Sequence, residues 1–283
     1  MKKILSFLIV ILYSPLLFSQ NAAYIFGTVT DSVDNKPLAN CSVFINGSSK
    51  GTMTDSKGGF ILKDISPGKY ELVISYVGYV TNVVSFEMKA IPIEIIARMA
   101  LSPKEMTAVT IEPQIKDGWS QWGKLFIENF IGTNENAKYC SIKNEDAIHF
   151  WYSKKKRVLT VRADGPLQIE NEALGYIIHY KLEDFTYDFS LRMVVYLGYP
   201  FFEEMQTDKK NVIKQWNLNR NRAYKESLLH FLRALYADRF TSEGYSLAMR
   251  QKFLNYERQR VNNNGKSTHL HALERLTTLL ATA

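Results

Sequence analysis

The ten residues GTMTDSKGGF, at positions 51–60, decide how the N-terminal third of the chain folds, because they separate two apolar segments. Three glycines and an aspartate in so short a stretch suit either a ligand-binding loop or a turn between strands. A calcium loop needs oxygen ligands at alternate positions, and Lys57 places a positive charge where the next ligand after Asp55 should stand. A phosphate loop opens a helix, whereas Gly59 precedes the apolar sequence FILKDI.

The same stretch has the composition of a turn. Gly58 and Gly59 can supply backbone geometry with positive φ, and the Asp55 side chain can bond to its own backbone. We therefore predict that the stretch is a hairpin turn between two strands.

Apolar runs and turn residues alternate at short intervals on both sides of this turn, over residues 24–99. In YELVISYV (70–77) every even-numbered residue is aromatic or aliphatic, which is the period-two pattern of a half-buried strand. The pattern predicts an all-β sandwich. The candidate strands are YIFGTVT (24–30), CSVFING (41–47), FILKDI (60–65), YELVISYV (70–77), NVVSFEM (82–88) and IPIEIIA (91–97).

Several short motifs follow one another in order between residues 27 and 79. They are G-x-V-x-D at 27–31, Pro37-Leu38 before a strand, the turn itself, Pro67-Gly68-x-Tyr70, and SYVGY at 75–79. Together they resemble the carboxypeptidase regulatory-like domain, a transthyretin-type (prealbumin-like) sandwich of seven strands. In that family the module accompanies catalytic domains or precedes outer-membrane transporters, and it carries no catalytic residues. The resemblance implies a docking or scaffold module over residues 20–100.

LSPKEMTAVTIEP (101–113) resembles the linker that follows such modules at the bacterial surface, so we predict a linker over 101–115. The chain that remains is too short for the large barrel of a transporter.

The sequence of 116–250 predicts a second, α+β domain, so that the chain is mainly β and then α+β. KDGWSQWGKLFIENFIG (116–132) has aromatic residues at helical spacing. The strand-like segments after it predict an antiparallel meander. They are AIHFWY (147–152), RVLTVRA (157–163), PLQIEN (166–171), LGYIIHYKL (174–182), FTYDFS (185–190) and LRMVVYLGY (191–199).

NRNRAYKESLLHFLRALYADRF (219–240) predicts a long amphipathic helix that is terminated by Gly244. Its start is rich in arginine and poor in glutamate, which is unfavourable at the positive end of a helix dipole. This mismatch favours a role for Arg220 and Arg222 in contacting an acidic partner.

Four blocks within residues 116–247 also resemble the second domain of exported bacterial proteins that carry an N-terminal carboxypeptidase regulatory-like domain, whose activity is not established. The blocks are NFIGTNENAKYCSIKNEDAIHF (129–150), ADGPLQIENEALGYIIHYKLEDF (163–185), YLGYPFFEEM (196–205) and NRAYKESLLHFLRALYADRFTSEGY (221–245). Residues 251–283 resemble nothing comparable and are predicted to form a polar or helical tail.

The N-terminus has the pattern of a cleaved signal peptide over residues 1–19. Lys2 and Lys3 precede an apolar run, which Pro15 interrupts and which small Ser19 follows. The run is shorter than a membrane span, so no span is expected after cleavage. We predict an exported protein of a Gram-negative bacterium, located in the periplasm or at the outer membrane and cell surface.

The charge of the chain limits the classes of possible partner, and its cysteine content indicates the state of the thiols. The chain carries a formal charge of +7, and most of the excess lies after residue 200. Because an exported protein seldom meets nucleic acid, this charge is either a solvated face or a surface attracted to anionic lipid, lipopolysaccharide or acidic glycan. Cys41 and Cys140 are predicted to be buried free thiols, since two cysteines make no disulfide framework.

Three tryptophans are candidate contacts for a partner or a glycan, together with Arg220 and Arg222. Trp119, Trp122 and Trp151 have the flat aromatic faces that a sugar platform uses, although helical spacing makes core packing the simpler interpretation of the first two.

The sequence contains fragments of catalytic motifs but no complete set. His271 and Glu274 form the H-x-x-E of metallocarboxypeptidases, yet only nine residues follow them, too few for the third zinc ligand and the catalytic glutamate of that order. The G-K-S at 265–267 lacks the first glycine of a phosphate loop, because Arg260 occupies its position. We therefore assign no catalytic residue, metal or cofactor.

The sequence predicts a non-catalytic cell-envelope protein whose sandwich docks to a partner and whose second domain binds a protein or glycan. The alternative is an accessory or degenerate carboxypeptidase-type hydrolase.

Overall fold

The computed structural model describes residues 23–89, 91–102, 113–246, 248–251 and 277–280. The chain divides after Trp216 into two compact units. The predicted signal peptide, most of the predicted linker and most of the predicted tail lie outside the described residues. The predicted domain boundaries stay predictions.

The first unit begins with seven strands, as the resemblance implied. They are β1 (Ile25–Asp31), β2 (Ser42–Ile45), β3 (Gly51–Met53), β4 (Gly59–Leu62), β5 (Gly68–Ser75), β6 (Asn82–Met88) and β7 (Ile93–Met99). One sheet has the order β4-β1-β7 and the other has the order β3-β2-β5-β6. Strand β1 pairs antiparallel with β4 and parallel with β7. Of these seven strands, only β3, which is three residues long, was not predicted from the sequence.

Alternate side chains of these strands fill the core between the two sheets. Ile25 and Val29 of β1 are fully buried there, with Leu72 and Ile74 of β5 facing them. Gly27 lies between the two β1 positions, and a Cβ atom at Gly27 would be 1.7 Å from the Ile95 carbonyl oxygen of β7. Only glycine therefore allows β1 and β7 to approach as closely as they do.

The prediction that residues 51–60 form a hairpin turn is wrong in one respect. The stretch is a turn between two strands, but these strands belong to different sheets. β3 belongs to the four-stranded sheet and β4 to the three-stranded sheet, so the chain crosses the core at this turn. Asp55 Oδ1 accepts hydrogen bonds from the backbone N–H groups of Gly59 and Lys57, each at 2.8 Å, which hold the pKa of the carboxyl below its usual value. Gly58 adopts φ +73°, while Gly59 does not have the positive φ expected of it.

The first and the last of the motifs between residues 27 and 79 are joined by a hydrogen bond between Tyr79 and Asp31. The Val33 N–H donates to Asp31 Oδ1 at 2.6 Å, and the Tyr79 hydroxyl donates to Asp31 Oδ2 at 2.8 Å. These bonds lower the pKa of Asp31, and the carboxylate raises the pKa of Tyr79 to about 12. The aspartate of G-x-V-x-D and the last tyrosine of SYVGY therefore form one structural contact.

Both cysteines are free thiols in the structure, and the prediction that they are buried is right for Cys41 and wrong for Cys140. Cys41 is buried in the sandwich core, whereas Cys140 is only half-buried, and burial raises the pKa of both thiols.

After the sandwich, the first unit contains an antiparallel sheet with an α-helix packed against it. The elements are α1 (Gly118–Phe130), β8 (Cys140–Ile142), β9 (Ile148–Ser153), β10 (Val158–Ala163), β11 (Leu167–Asn171), β12 (Tyr176–Asp188) and β13 (Met193–Glu204). Phe126 of α1 is fully buried and packs against Phe150 of β9 and Phe185 of β12.

This second sheet is antiparallel but is not the simple meander that the sequence predicted. One edge of β12 pairs with β13 over its length, and the other edge pairs first with β11 and then with β10. The predicted strands 174–182 and 185–190 are one strand, because a bulge between Leu182 and Asp184 keeps the pairing with β13 continuous. Strand β8 was not predicted.

Two helices replace the single helix predicted over 219–240. They are α2 (Lys210–Lys225) and α3 (Leu228–Tyr236), and Ser227 caps α3 by accepting a hydrogen bond from the His230 N–H. Arg222 lies in the last turn of α2, where a positive charge suits the helix dipole, so the predicted dipole mismatch is wrong. Strands β14 (Ala248–Gln251) and β15 (Thr277–Leu280) form an antiparallel pair. Within the described ranges, no helix has both the length and the apolar character needed to cross a membrane.

Replacing Gly58 should destabilise the sandwich more than replacing a glycine with similar backbone geometry. In Gly58→Ala the new Cβ would lie 2.4 Å from the Val29 carbonyl oxygen, in addition to the cost of positive φ. Gly78→Ala is the matched control, because Gly78 has φ +83° and open space around it. In urea unfolding, Gly78→Ala should lower the free energy of unfolding by about 1–2 kcal/mol. Gly58→Ala should lower it further, and equal losses would contradict the close approach.

The Asp31–Tyr79 bond should make stability depend on pH. Because folding lowers the pKa of Asp31, the ionised carboxylate stabilises the folded state above its unfolded pKa of about 3.9. That contribution is lost as the pH falls through the lower folded-state pKa. The destabilisation caused by Tyr79→Phe should therefore be largest near neutral pH and shrink towards pH 3, as measured by urea unfolding. Tyr76→Phe is the control, and a pH-independent effect of Tyr79→Phe would contradict the assignment.

Candidate binding site between the sandwich and the second sheet

A loop of the sandwich pairs through its backbone with one edge of the second sheet. The Gly47 N–H donates to the Pro200 carbonyl oxygen at 2.9 Å, and the Phe202 N–H donates to the Ser48 carbonyl oxygen at 3.0 Å. Between these two hydrogen bonds, Ser48 and Phe201 form a parallel β-bridge. The sandwich is thus attached to β13 by main-chain hydrogen bonds.

Aromatic packing supports this attachment. The rings of Phe44 on β2 and Phe201 on β13 lie 5.6 Å apart between centroids. Phe44 and its cross-strand neighbour Val73 lie outside the sandwich core and are nevertheless buried, at 7% and 0% exposure. A Cβ atom at Gly51 would lie 2.7 Å from the Phe201 ring, so the glycine leaves room for that ring.

The first groove lies between these two sheets and has a volume of about 570 Å³. Phe44 and Met53 line its sandwich side, and Phe201 lines its other side. Its ionisable side chains come from β12 and β13, where His179 Nε2 is 3.0 Å from Glu203 Oε2. The groove therefore combines apolar walls with a hydrogen-bonded histidine and glutamate.

The second groove adjoins the first, because Ser75, Pro166 and Lys181 line both. Its volume is about 480 Å³ and its walls are more polar. Its charged and aromatic lining includes Tyr76, Tyr79, Arg162, Asp164 and Glu183. The Thr81 hydroxyl donates to the Glu183 carboxylate across this groove, which is a second link between the sandwich and the sheet.

A row of bonded side chains continues from the second groove over the outer face of β9 and β10. Asp164 Oδ2 is 2.6 Å from His149 Nε2, and His149 Nδ1 is 2.9 Å from Gln114 Nε2. Arg162 lies over the Trp151 ring at 5.5 Å from its centroid. Both ring nitrogens of His149 are thus hydrogen-bonded, one to a carboxylate and the other to an amide. Within the described residues, no group of three metal-ligating side chains is present.

The structure separates the three predicted tryptophans. Trp119 and Trp122 belong to α1 and pack against the hydrophobic core between α1 and the second sheet. Between ring centroids, Trp119 is 6.2 Å from Phe150 and Trp122 is 5.5 Å from Tyr152. The buried Trp122 Nε1 has no hydrogen-bond partner within the described part of the chain. Trp151 lies on the opposite face of β9, beside the second groove. Of the three, only Trp151 lies beside either of these two grooves, whereas Trp119 lines a separate pocket with Lys124 and Glu145.

The two predicted arginines lie on α2. Arg220 is half-buried, and exposed Arg222 pairs with Glu226 at 3.0 Å. Their role in contacting a partner stays a prediction. The H-x-x-E at 271–274 and the G-K-S at 265–267 lie outside the described residues.

Sequence reasoning missed the groove residues of β12 and β13. The signal available was the alternation in YIIHYKL (176–182) and YPFFEE (199–204), which places His179 and Lys181 on one face and Phe201 and Glu203 on one face. The register that sets His179 opposite Phe201 was not available from the sequence.

The fold defines a transthyretin-type β-sandwich that is joined to an antiparallel sheet. Residues 25–111 match the family model of the CarboxypepD_reg-like domain. This part of the chain is therefore a carboxypeptidase regulatory-like domain, as its motifs indicated.

Several solved structures match parts of the chain at low similarity. A type II cohesin–X-dockerin complex from Acetivibrio cellulolyticus is 22% identical over 28% of this chain and 56% of that chain, with a TM-score of 0.25. The pilus 2b backbone protein of group B streptococcus is 12% identical over 30% and 43%, with a TM-score of 0.25. A DUF3823 family protein from Bacteroides uniformis is 8% identical over 66% and 85%, with a TM-score of 0.22.

The chain spans 56% and 43% of the lengths of the first two of these structures. No curated protein sequence matches the chain.

The contact between Phe44 and Phe201 should be measurable as a coupling energy. In a double-mutant cycle of Phe44→Ala and Phe201→Ala, we expect a coupling of about 0.5–1.5 kcal/mol in the free energy of unfolding. Phe202→Ala is the matched control, because Phe202 points to the other face of β13 and packs 5.7 Å from Tyr176. Its cycle with Phe44→Ala should be additive, and equal coupling in both cycles would contradict the contact.

Proposed function

We propose that this protein is a non-catalytic, exported protein of the cell envelope that binds a protein or glycan partner in the two adjoining grooves. The carboxypeptidase regulatory-like domain acts as the docking or scaffold module. The observation that carries the proposal is the first groove, which exists only because the sandwich is attached to β13.

The first groove suits a partner with both apolar and polar groups. Binding sites are typically concave and mostly apolar, with a few polar groups that fix the orientation of the ligand. Phe44, Met53 and Phe201 supply the apolar surface, while Lys181 and the His179–Glu203 couple supply charge of both signs.

The second groove suits polar partners, including sugars. Hydroxyl groups can donate to the Asp164 and Glu183 carboxylates and accept from Arg162. Trp151 extends this surface with an indole ring that Arg162 contacts at 5.5 Å from the centroid. A partner that covers both grooves would meet apolar surface first and hydrogen-bonding groups next to it.

Export and envelope location are supported by the signal-like N-terminus, in which two lysines precede an apolar run and a small residue. The docking role is supported by the family of the sandwich, since its motif residues are used inside the fold. Asp31, Asp55 and Tyr79 all bond within the sandwich.

Site-specific photocrosslinking should find the partner at the first groove. A photoreactive phenylalanine analogue at Met53, which lines the groove and is 63% exposed, should crosslink one dominant component in intact envelopes. Lys181→Glu should weaken this crosslink, because Lys181 lines both grooves. The control places the analogue at Val33, which is 78% exposed and lines neither groove. Equal crosslinking from both positions, or none, would count against the proposal.

A second measurement, of tryptophan fluorescence, tests for a glycan partner. Adding solubilised envelope glycans should change the tryptophan fluorescence, because Trp151 lies beside the second groove, and Arg162→Ala should reduce that change. The binding proposal fails if neither a crosslinked protein nor a glycan response is found.

A further inference from the structure

Strand β13 has a free edge along its first half. Gly47 and Ser48 pair with β13 only at Pro200 and Phe202. For Met193 to Tyr199, no backbone partner lies on that edge within the described residues, and β12 occupies the other edge. An open edge of this length is a template on which another strand can pair.

The backbone orientation along this edge follows from the contacts at its far end. The Pro200 carbonyl and the Phe202 N–H point away from β12, because they bond to the sandwich loop. Since the N–H and C=O groups of alternate residues point to the same edge of a strand, those of Val194, Tyr196 and Gly198 point to the free edge as well. The bulge does not disturb this order, because its extra residue lies on β12.

The side chains at this edge lack the features that normally prevent pairing. Residues 193–202 contain no charged residue, and the only proline is the one already bonded to the sandwich loop. Met193, Val195 and Leu197 form an apolar stripe and are 49%, 52% and 55% exposed. Proteins usually protect such edges with charge, proline or a covering element.

We propose that a second copy of this chain pairs with this edge, β13 against β13, in an antiparallel dimer centred on Tyr196. The open segment from Met193 to Tyr199 has Tyr196 as its midpoint, and the outward-pointing backbone of Tyr196 allows the two copies to exchange hydrogen bonds there. A two-fold axis then places the same segment on both sides of the interface, as a symmetric dimer requires.

This register matches apolar residues with apolar residues. Val195 faces Leu197 of the partner subunit, and Met193 faces Tyr199 of the partner subunit. Val194 and Gly198 of the partner subunit form further hydrogen-bonded pairs on either side of Tyr196. No like charges meet along the segment. The second copy is favoured over an unrelated strand because the open segment is complementary to itself in length, backbone direction and charge.

Sedimentation equilibrium of the purified full chain over a hundredfold range of concentration tests the proposal. The wild type should show a monomer–dimer equilibrium. Val195→Lys should weaken the dimer at least about tenfold, because it places a charge opposite Leu197 of the partner subunit. Val195→Lys with Leu197→Glu should recover much of the affinity, because the register sets each lysine opposite a glutamate.

The matched control is Ile61→Lys, which adds the same charge to an exposed residue of the edge strand β4 and should leave the dimer unchanged. Circular dichroism checks that each variant is folded. Hydrogen exchange of the wild type gives an independent readout, because the amides of Val194, Tyr196 and Gly198 should gain protection as concentration rises.

A wild type that stays monomeric at every concentration overturns the proposal, and in that case an extended segment of another protein becomes the candidate occupant of the edge. A dimer that Val195→Lys does not weaken also overturns it. A dimer that the double variant fails to recover overturns the register centred on Tyr196. None of these results depends on the grooves, so failure here is distinct from failure of the proposed function.

Discussion

The structure of the first unit depends on the attachment of the sandwich loop to β13. Two backbone hydrogen bonds and the Phe44–Phe201 contact bring the outer face of the four-stranded sheet over the second sheet. Without this attachment Phe44 and Val73 would be apolar residues on a solvent-facing sheet, although they are now among the buried residues. Main-chain bonding also fixes the register, because a shift of one residue would turn Phe201 to the opposite face. The first groove is the space that remains where the two sheets diverge from this contact.

The motif residues of the sandwich serve its fold, and this decides how GTMTDSKGGF is interpreted. The Asp55 carboxylate is engaged by amides of its own turn, and Gly58 is required because the Val29 carbonyl lies next to it. Asp31 is similarly engaged by Val33 and Tyr79. These carboxylates are used inside the fold, so the motif residues Asp31 and Asp55 stabilise the sandwich and its turn.

Local patterns in the sequence predicted most strands and α1, because alternation and helical spacing are properties of neighbouring residues. They did not predict that β3 and β4 belong to different sheets, since a tight turn with glycine and aspartate occurs in hairpins and in crossings alike. Ser227 begins α3 as its N-cap, but the apolar periodicity on either side concealed the break between α2 and α3. The grooves were not predictable, because His179 and Phe201 meet only through strand register, and the sandwich loop reaches β13 from far away in sequence.

One strand, β13, contributes to both the first groove and the free edge. Phe201 and Glu203 line the first groove from the odd-numbered face of β13, and Met193, Val195 and Leu197 occupy the same face of the same strand. Residues directly opposite each other in an antiparallel pair point to the same side of a sheet. Two copies joined along β13 would therefore present both first grooves on one face of a continuous sheet. A repetitive partner, such as a glycan polymer, would then engage two sites at once, and weak binding in each groove would add up to tight binding by the pair.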